Sequence, residues 1–111
     1  MSKRLKNCVC LRSQVRIYVP STVDVSYCTD TSEQVDRTLS FLSGKFGGAT
    51  ASNALGAWVS QSGQLVKESV TVVFAYADAV DLEREIEAIY DYCVELKLEL
   101  RQEAVALELE R

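Results

Sequence analysis

The 111-residue chain contains no histidine, one proline, one methionine and one tryptophan. Without histidine the Ser-His-Asp and Cys-His nucleophile arrangements are excluded, as is imidazole acid/base catalysis. Lys, Tyr, Asp and Glu remain as groups that could do chemistry. Zinc is disfavoured by the same absence, because Cys8, Cys10, Cys28 and Cys93 form one Cys-x-Cys pair and two distant single residues rather than paired Cys-x-x-Cys motifs. The expectation is reduced thiols, a cytoplasmic location, and no metal or other cofactor. No apolar run approaches the roughly 20 residues that span a bilayer. Met1 to Gln14 holds basic residues but no hydrophobic stretch of the kind a signal peptide carries, so no membrane contact is expected.

What is present is an ordinary globular composition, 48% hydrophobic and 25% charged, at the usual size of one domain. So short a chain buries only about two thirds of its unfolded surface, which leaves room for a stabilising second copy. Charge is unevenly placed. Lys3, Arg4, Lys6, Arg12 and Arg16 all precede the first acid, Asp24, leaving seven basic residues against sixteen acidic ones, a balance of −9. Residues 1–13 therefore read as a basic, flexible arm and residues 14–111 as a single domain.

Hydrophobic periodicity orders that domain. Val15, Ile17 and Val19 alternate with Arg16 and Tyr18 over Gln14 to Val19, a half-buried strand that Pro20 ends. Ser21 to Thr31 is polar and long for a connection. Asp30 and Glu33 resemble a capping box, with Ser32 as a competing cap, and Val35, Leu39, Leu42 and Phe46 form one helical stripe that Gly47 and Gly48 terminate. Phe41 lies off the stripe, to pack under the neighbouring loop or to touch a partner. A strand over Ala54 to Ser60, a turn at Ser62-Gly63 and a strand over Gln64 to Ala77 follow. A helix from Val80 to Gln102 then buries Leu82, Ile86, Ile89, Cys93, Leu96 and Leu100, and a last strand occupies Glu103 to Arg111.

The order strand, helix, strand, strand, helix, strand is βαββαβ. It predicts an α+β, ferredoxin-like two-layer sandwich, an antiparallel sheet with both helices on one face. In the third strand Val70, Val72, Phe74 and Tyr76 share one face and Thr71, Val73 and Ala75 the other, so both faces are apolar. A sheet face left open by the helices would need covering, which predicts a homodimer through that face.

Three constellations could carry function. Gly56, Trp58, Gly63, Lys67 and Glu68 follow the glycine-rich Gly47-Gly48-Ala49-Thr50. If Gly56 and Trp58 share a face, the indole could floor a pocket walled by that loop; the alternative is a bulge with an aromatic core plug. The loop is no P-loop, since it lacks the lysine followed by serine or threonine. Glu68 could face Arg16 or Tyr18 on the first strand. The ligand-binding candidates are accordingly Arg16, Tyr18, Trp58, Lys67, Glu68 and Tyr76, cations and aromatics suited to a small anionic or planar molecule. Second, Glu83, Glu87, Asp91, Glu95 and Glu99 recur every four residues on the second helix. They form either a solvated acidic face or a ridge, centred on Glu87, Asp91 and Glu95, that docks a basic partner such as the chain's own Lys3, Arg4 and Lys6. Third, Ile17-Tyr18-Val19 loosely matches the first-strand motif of RNA-recognition domains. Lys67 to Phe74 lacks the glycine and paired aromatics needed to stack bases, so nucleic acid is disfavoured.

Arg16-Ile17-Tyr18-Val19-Pro20-Ser21, Phe46-Gly47-Gly48-Ala49-Thr50, Gly56-Ala57-Trp58, Gly63 with Leu65 and Glu68, and Gln102-Glu103-Ala104-Val105 together resemble a small group of prokaryotic and mobile-element proteins. The resemblance runs from Arg16 to Glu108. It implies a ferredoxin-like domain and brings no activity, cofactor or site residues. The resulting expectation is a non-enzymatic, dimeric binding or regulatory domain, a mobile-element accessory protein that recognises a small ligand or a protein partner. The competing expectations are a small enzyme of the dimeric α/β-barrel type, with Tyr or Glu transferring a proton, and a nucleic-acid-associated protein that uses the arm.

Overall fold

In the computed structural model, the residues described are 13–23, 27–28, 30–101 and 105–110. Strand β1 (Ser13–Pro20) leads to two short strands, β2 (Thr22–Val23) and β3 (Tyr27–Cys28), which pair with each other. Helix α1 (Ser32–Phe46), strands β4 (Thr50–Val59) and β5 (Leu65–Ala77), helix α2 (Ala79–Glu99) and strand β6 (Leu107–Glu110) follow. The long polar connection after β1 thus holds a small ribbon of its own. The basic arm with Lys3, Arg4, Lys6, Cys8 and Cys10 lies outside the described residues, as do Gln102 and Glu103.

The four longer strands form one antiparallel sheet in the order β4-β5-β1-β6, with β5 between the two strands that α1 connects. This is the ferredoxin-like βαββαβ arrangement that the element order predicts. Val15, Ile17 and Val19 of β1 are buried against the helices, with Val73 and Ala75 of β5, Leu42 of α1, Leu82, Ile89 and Leu96 of α2, and Leu100 just after it. Cys93 joins them, as its place on the apolar stripe implies. No helix among the described residues is long and apolar enough to cross a membrane.

Local chemistry accounts for the ends of the elements. Gly47 takes the left-handed conformation, φ 88°, and its N–H donates to the Ser43 carbonyl at 2.8 Å, which stops α1. At the start of α1, Asp30 Oδ1 accepts from the Ser32 N–H at 2.9 Å, and the Ser32 hydroxyl together with this N–H holds the carboxyl below the usual range. Thr31, the cap residue, makes no side-chain cap bond, so the expected capping box is replaced by a local turn around Asp30. Helix α2 ends three residues earlier than the periodicity suggests, because Arg101 turns left-handed at φ 52°. β4 begins at Thr50 rather than Ala54, since its first four residues also pair with β5, from Thr50 opposite Phe74 to Asn53 opposite Thr71.

Helix α1 is held to α2 by a polar seam. The Thr38 hydroxyl donates to the Gln34 carbonyl at 2.7 Å and lies 2.6 Å from the Tyr92 hydroxyl. Phe41 stacks on Tyr92 with ring centroids 4.2 Å apart. Phe41 therefore packs on Tyr92 of α2. Arg37 and Gln34 both donate to the Glu99 carboxylate, which closes one end of the acidic ridge.

Candidate functional site

The helices cover one face of the sheet and leave the other open. Pairing places the side chains of that open face in rows: Gln14, Arg16 and Tyr18 of β1 lie beside Tyr76, Phe74 and Val72 of β5, and Glu110 and Glu108 of β6 flank Gln14 and Arg16. On the other side, Thr50, Ala54, Gly56 and Trp58 of β4 lie opposite Phe74, Val70, Glu68 and Val66. Five of the six ligand-binding candidates, Arg16, Tyr18, Trp58, Glu68 and Tyr76, therefore share this face. Lys67, one residue from Glu68, points to the opposite face by the strand's period of two.

Within that face the five residues form two groups. The first surrounds Arg16, whose guanidinium pairs with Glu108 at 3.3 Å and donates from Nε to Gln14 Oε1 at 3.2 Å. It also lies 6.0 Å from the Phe74 ring centroid, and Phe74 meets Tyr76 edge to face at 5.9 Å. Next to it Phe46, Gly47, Gly48, Ala49 and Thr50 join Phe74, Ala75 and Tyr76 around a shallow cleft of about 420 Å³.

The second group is at the other end of β5. Gly56 is directly opposite Glu68, and a Cβ added there would come within 3.7 Å of the Glu68 carbonyl oxygen, an ordinary contact. Trp58 is the diagonal neighbour of Glu68 on the same face, about 7–8 Å away between Cα positions. It is 50% exposed, which excludes a core plug. The glycine at position 56 thus leaves the space directly opposite Glu68 without a side chain.

Eight residues separate Glu68 from Tyr76 along β5, or about 27 Å. This distance corrects two sequence expectations. The Gly47-Gly48 loop borders the Arg16 group and does not wall a pocket over Trp58. Nor does Glu68 face Arg16 or Tyr18, because β1 ends with Pro20 opposite Val70 and the strand β5 continues past it. Phe74 and Glu108, which hold Arg16, were not among the candidates. Phe74 was visible on the correct face by alternation, but its pairing with Arg16 is a matter of cross-strand register.

The remaining chemistry-bearing groups are less available. Burial pushes the Cys93 thiol up to about 11, so it is a poor nucleophile. Among the described residues, no cluster of His, Cys, Asp or Glu could hold a metal ion. On the acidic ridge Glu87, Asp91 and Glu95 are exposed, whereas Glu99 is held by Arg37 and Gln34.

Neither a family model nor a curated protein matches this chain. Solved structures do. A phage SAM lyase in complex with S-methyl-5'-thioadenosine matches with a TM-score of 0.64 at 23% identity, over 89% of this chain and 80% of that one. The phage SAM lyase in its apo state matches with a TM-score of 0.61 at 23% identity, over 88% of this chain and 78% of that one. Identity at this level establishes the shared fold. It also corrects the expectation of a non-enzymatic binding or regulatory module, since the fold matched over nearly the whole chain is that of an enzyme with a small-molecule complex. The missing histidine removed only imidazole chemistry, and carboxylate and aromatic groups remained.

Proposed function

We propose that this chain is a small enzyme of the lyase type acting on S-adenosylmethionine or a related adenosyl sulfonium, with Glu68 and Trp58 meeting the cation. The reading rests on one observation: a carboxylate-bearing residue and a half-exposed tryptophan are diagonal neighbours beside Gly56, on the open face of a SAM-lyase-like fold. A sulfonium is a soft cation. An indole face attracts it through the ring quadrupole, and a carboxylate attracts it by charge.

Breaking the bond between sulfur and the four-carbon amino-acid fragment returns an electron pair to sulfur and releases a neutral thioether, S-methyl-5'-thioadenosine. The fragment replaces its lost bond by closing on its own carboxylate or by giving up a proton and forming a double bond. Atoms balance in both routes without water. The open face enhances either one if water is kept out and the substrate is held in a reactive conformation. A single copy offers only a shallow surface there, and a second copy laid across the open face would enclose it. Tyr18, Arg16 and Tyr76, about 13, 20 and 27 Å along the sheet from Glu68 by their register on β5, would then belong to the enclosing wall.

The test is incubation of purified protein with S-adenosylmethionine and mass analysis of the products. S-methyl-5'-thioadenosine is expected from the wild type, with Glu68→Gln lowering kcat/KM roughly tenfold or more, because the carboxylate's attraction for the sulfonium acts in binding the substrate. Absence of turnover in the wild type, or a Glu68→Gln variant as fast as the parent, would overturn the assignment.

A further inference from the structure

The large exposed apolar residues are concentrated in two places. Leu55, Trp58, Val59 and Leu65 belong to the β4-β5 hairpin, and Val80, Tyr90, Val94 and Leu98 belong to α2, with Tyr76 as the remaining one. Within the hairpin, Leu55, Val59 and Leu65 are on the helix-side face, in the same rows as the fully buried Val73. They are 60–66% exposed because the hairpin runs beyond the helix layer, in a molecule 55 Å long and only 26 Å by 21 Å across. On α2, Tyr90, Val94 and Leu98 follow one another at intervals of four on the side turned away from Leu82, Ile89 and Leu96. One chain therefore carries two separate apolar strips that its own fold does not bring together.

Their charges are complementary. Lys67 is exposed on the helix-side face of the hairpin, opposite Ala57 and one pair from Leu65 and Val59. Glu87 and Asp91 are exposed and flank the α2 strip. We propose that the occupant of each strip is a second copy of this chain: the helix-side face of the hairpin docks on the outer face of α2 of its neighbour, with Lys67 set against Glu87 and Asp91. The two patches differ, so each copy uses both, whether reciprocally across a two-fold or head to tail. Every chain then buries both strips. This contact is on the side of the sheet away from Glu68 and does not depend on the chemistry proposed above.

The experiment is mass measurement in solution by light scattering over a range of protein concentrations, with circular dichroism to confirm that each variant is folded. The wild type is expected to assemble. Lys67→Glu should weaken assembly roughly tenfold or more by setting like charges together, and so should Glu87→Lys combined with Asp91→Lys. The chain carrying all three reversals should recover assembly, because both patches have exchanged sign. Val59→Asp should reduce the assembly to no more than a pair sharing the open face while leaving the fold intact, since its site is exposed in the single chain. A monomeric wild type overturns the proposal, and so does an assembly whose mass Val59→Asp leaves unchanged or one that the triple reversal fails to restore. Turnover of S-adenosylmethionine is read separately, so loss of the assembly and loss of the enzymatic reading are distinguishable.

Discussion

Replacing Tyr92 by Phe tests whether the polar seam between the helices contributes to stability. The Thr38 hydroxyl has one proton, and it is used on the Gln34 carbonyl at 2.7 Å. The Tyr92 hydroxyl must therefore be the donor in its 2.6 Å contact with Thr38. Tyr92→Phe removes that buried bond together with the hydroxyl's interaction with Arg37 and leaves the ring on Phe41, so the cost is at least that of a single intramolecular hydrogen bond, about 0.5–1.5 kcal/mol. For a domain near this size each kcal/mol corresponds to about 4–8 °C in Tm, so a fall of about 4–8 °C is the central expectation. Thr38→Val costs more, about 1–3 kcal/mol, because it strands the Tyr92 donor inside the seam. The double variant should lose less than the sum, by about 1 kcal/mol, since the same bond cannot be removed twice. Urea unfolding at a fixed protein concentration measures all four corners of the cycle, and fixing the concentration removes any contribution from assembly. Additive losses within about 0.3 kcal/mol, or a Tyr92→Phe variant as stable as the wild type, would refute the reasoning.

Acid should loosen the helix layer first. Arg37 and Gln34 hold the Glu99 carboxyl below 4.5, and Lys45 does the same for Glu85. Carboxyls depressed in the folded state contribute stability that is present above their unfolded value and lost as pH falls through the folded one, so stability should decline below about pH 4.5. Glu99→Gln is expected to flatten that decline in urea titrations run from about pH 6 to about pH 3, and an unchanged profile would contradict the assignment. Cys93, with its thiol near 11 and its side chain among Ile89 and Leu96, should resist alkylation at about pH 8 until the chain is unfolded. Mass mapping of the modified cysteines with and without denaturant checks this, and rapid labelling of Cys93 in the folded protein would count against the packing.

Much of the architecture is written in local pattern. The two-residue alternation of Val15, Ile17 and Val19 and the four-three-four spacing of Val35, Leu39, Leu42 and Phe46 each depend only on which side of a strand or helix faces the core. Those periods also place Val70, Val72, Phe74 and Tyr76 on one face and Cys93 in the interior. The end of α2 was not legible, because Arg101 adopts a conformation that sequence reading assigns to glycine or asparagine. The partner of Phe41 was not legible either, since residues on two helices meet only when the helices pack.

The candidate site divides in the same way. That Glu68, Gly56 and Trp58 belong to neighbouring strands follows from the short Ser62-Gly63 turn, and that Lys67 and Glu68 point apart follows from the pleat. Which residue stands opposite which is a property of register, and register is fixed by the whole sheet. It is register that carries β5 beyond the end of β1, sets Glu68 against Gly56 rather than Arg16, and leaves Leu55, Val59 and Leu65 outside the helix layer. The sequence by itself determined the order of elements and the faces of each, because these depend on near neighbours in the chain. Only the tertiary structure decided which groups meet and which apolar surface is left uncovered, because those depend on contacts between residues far apart in sequence.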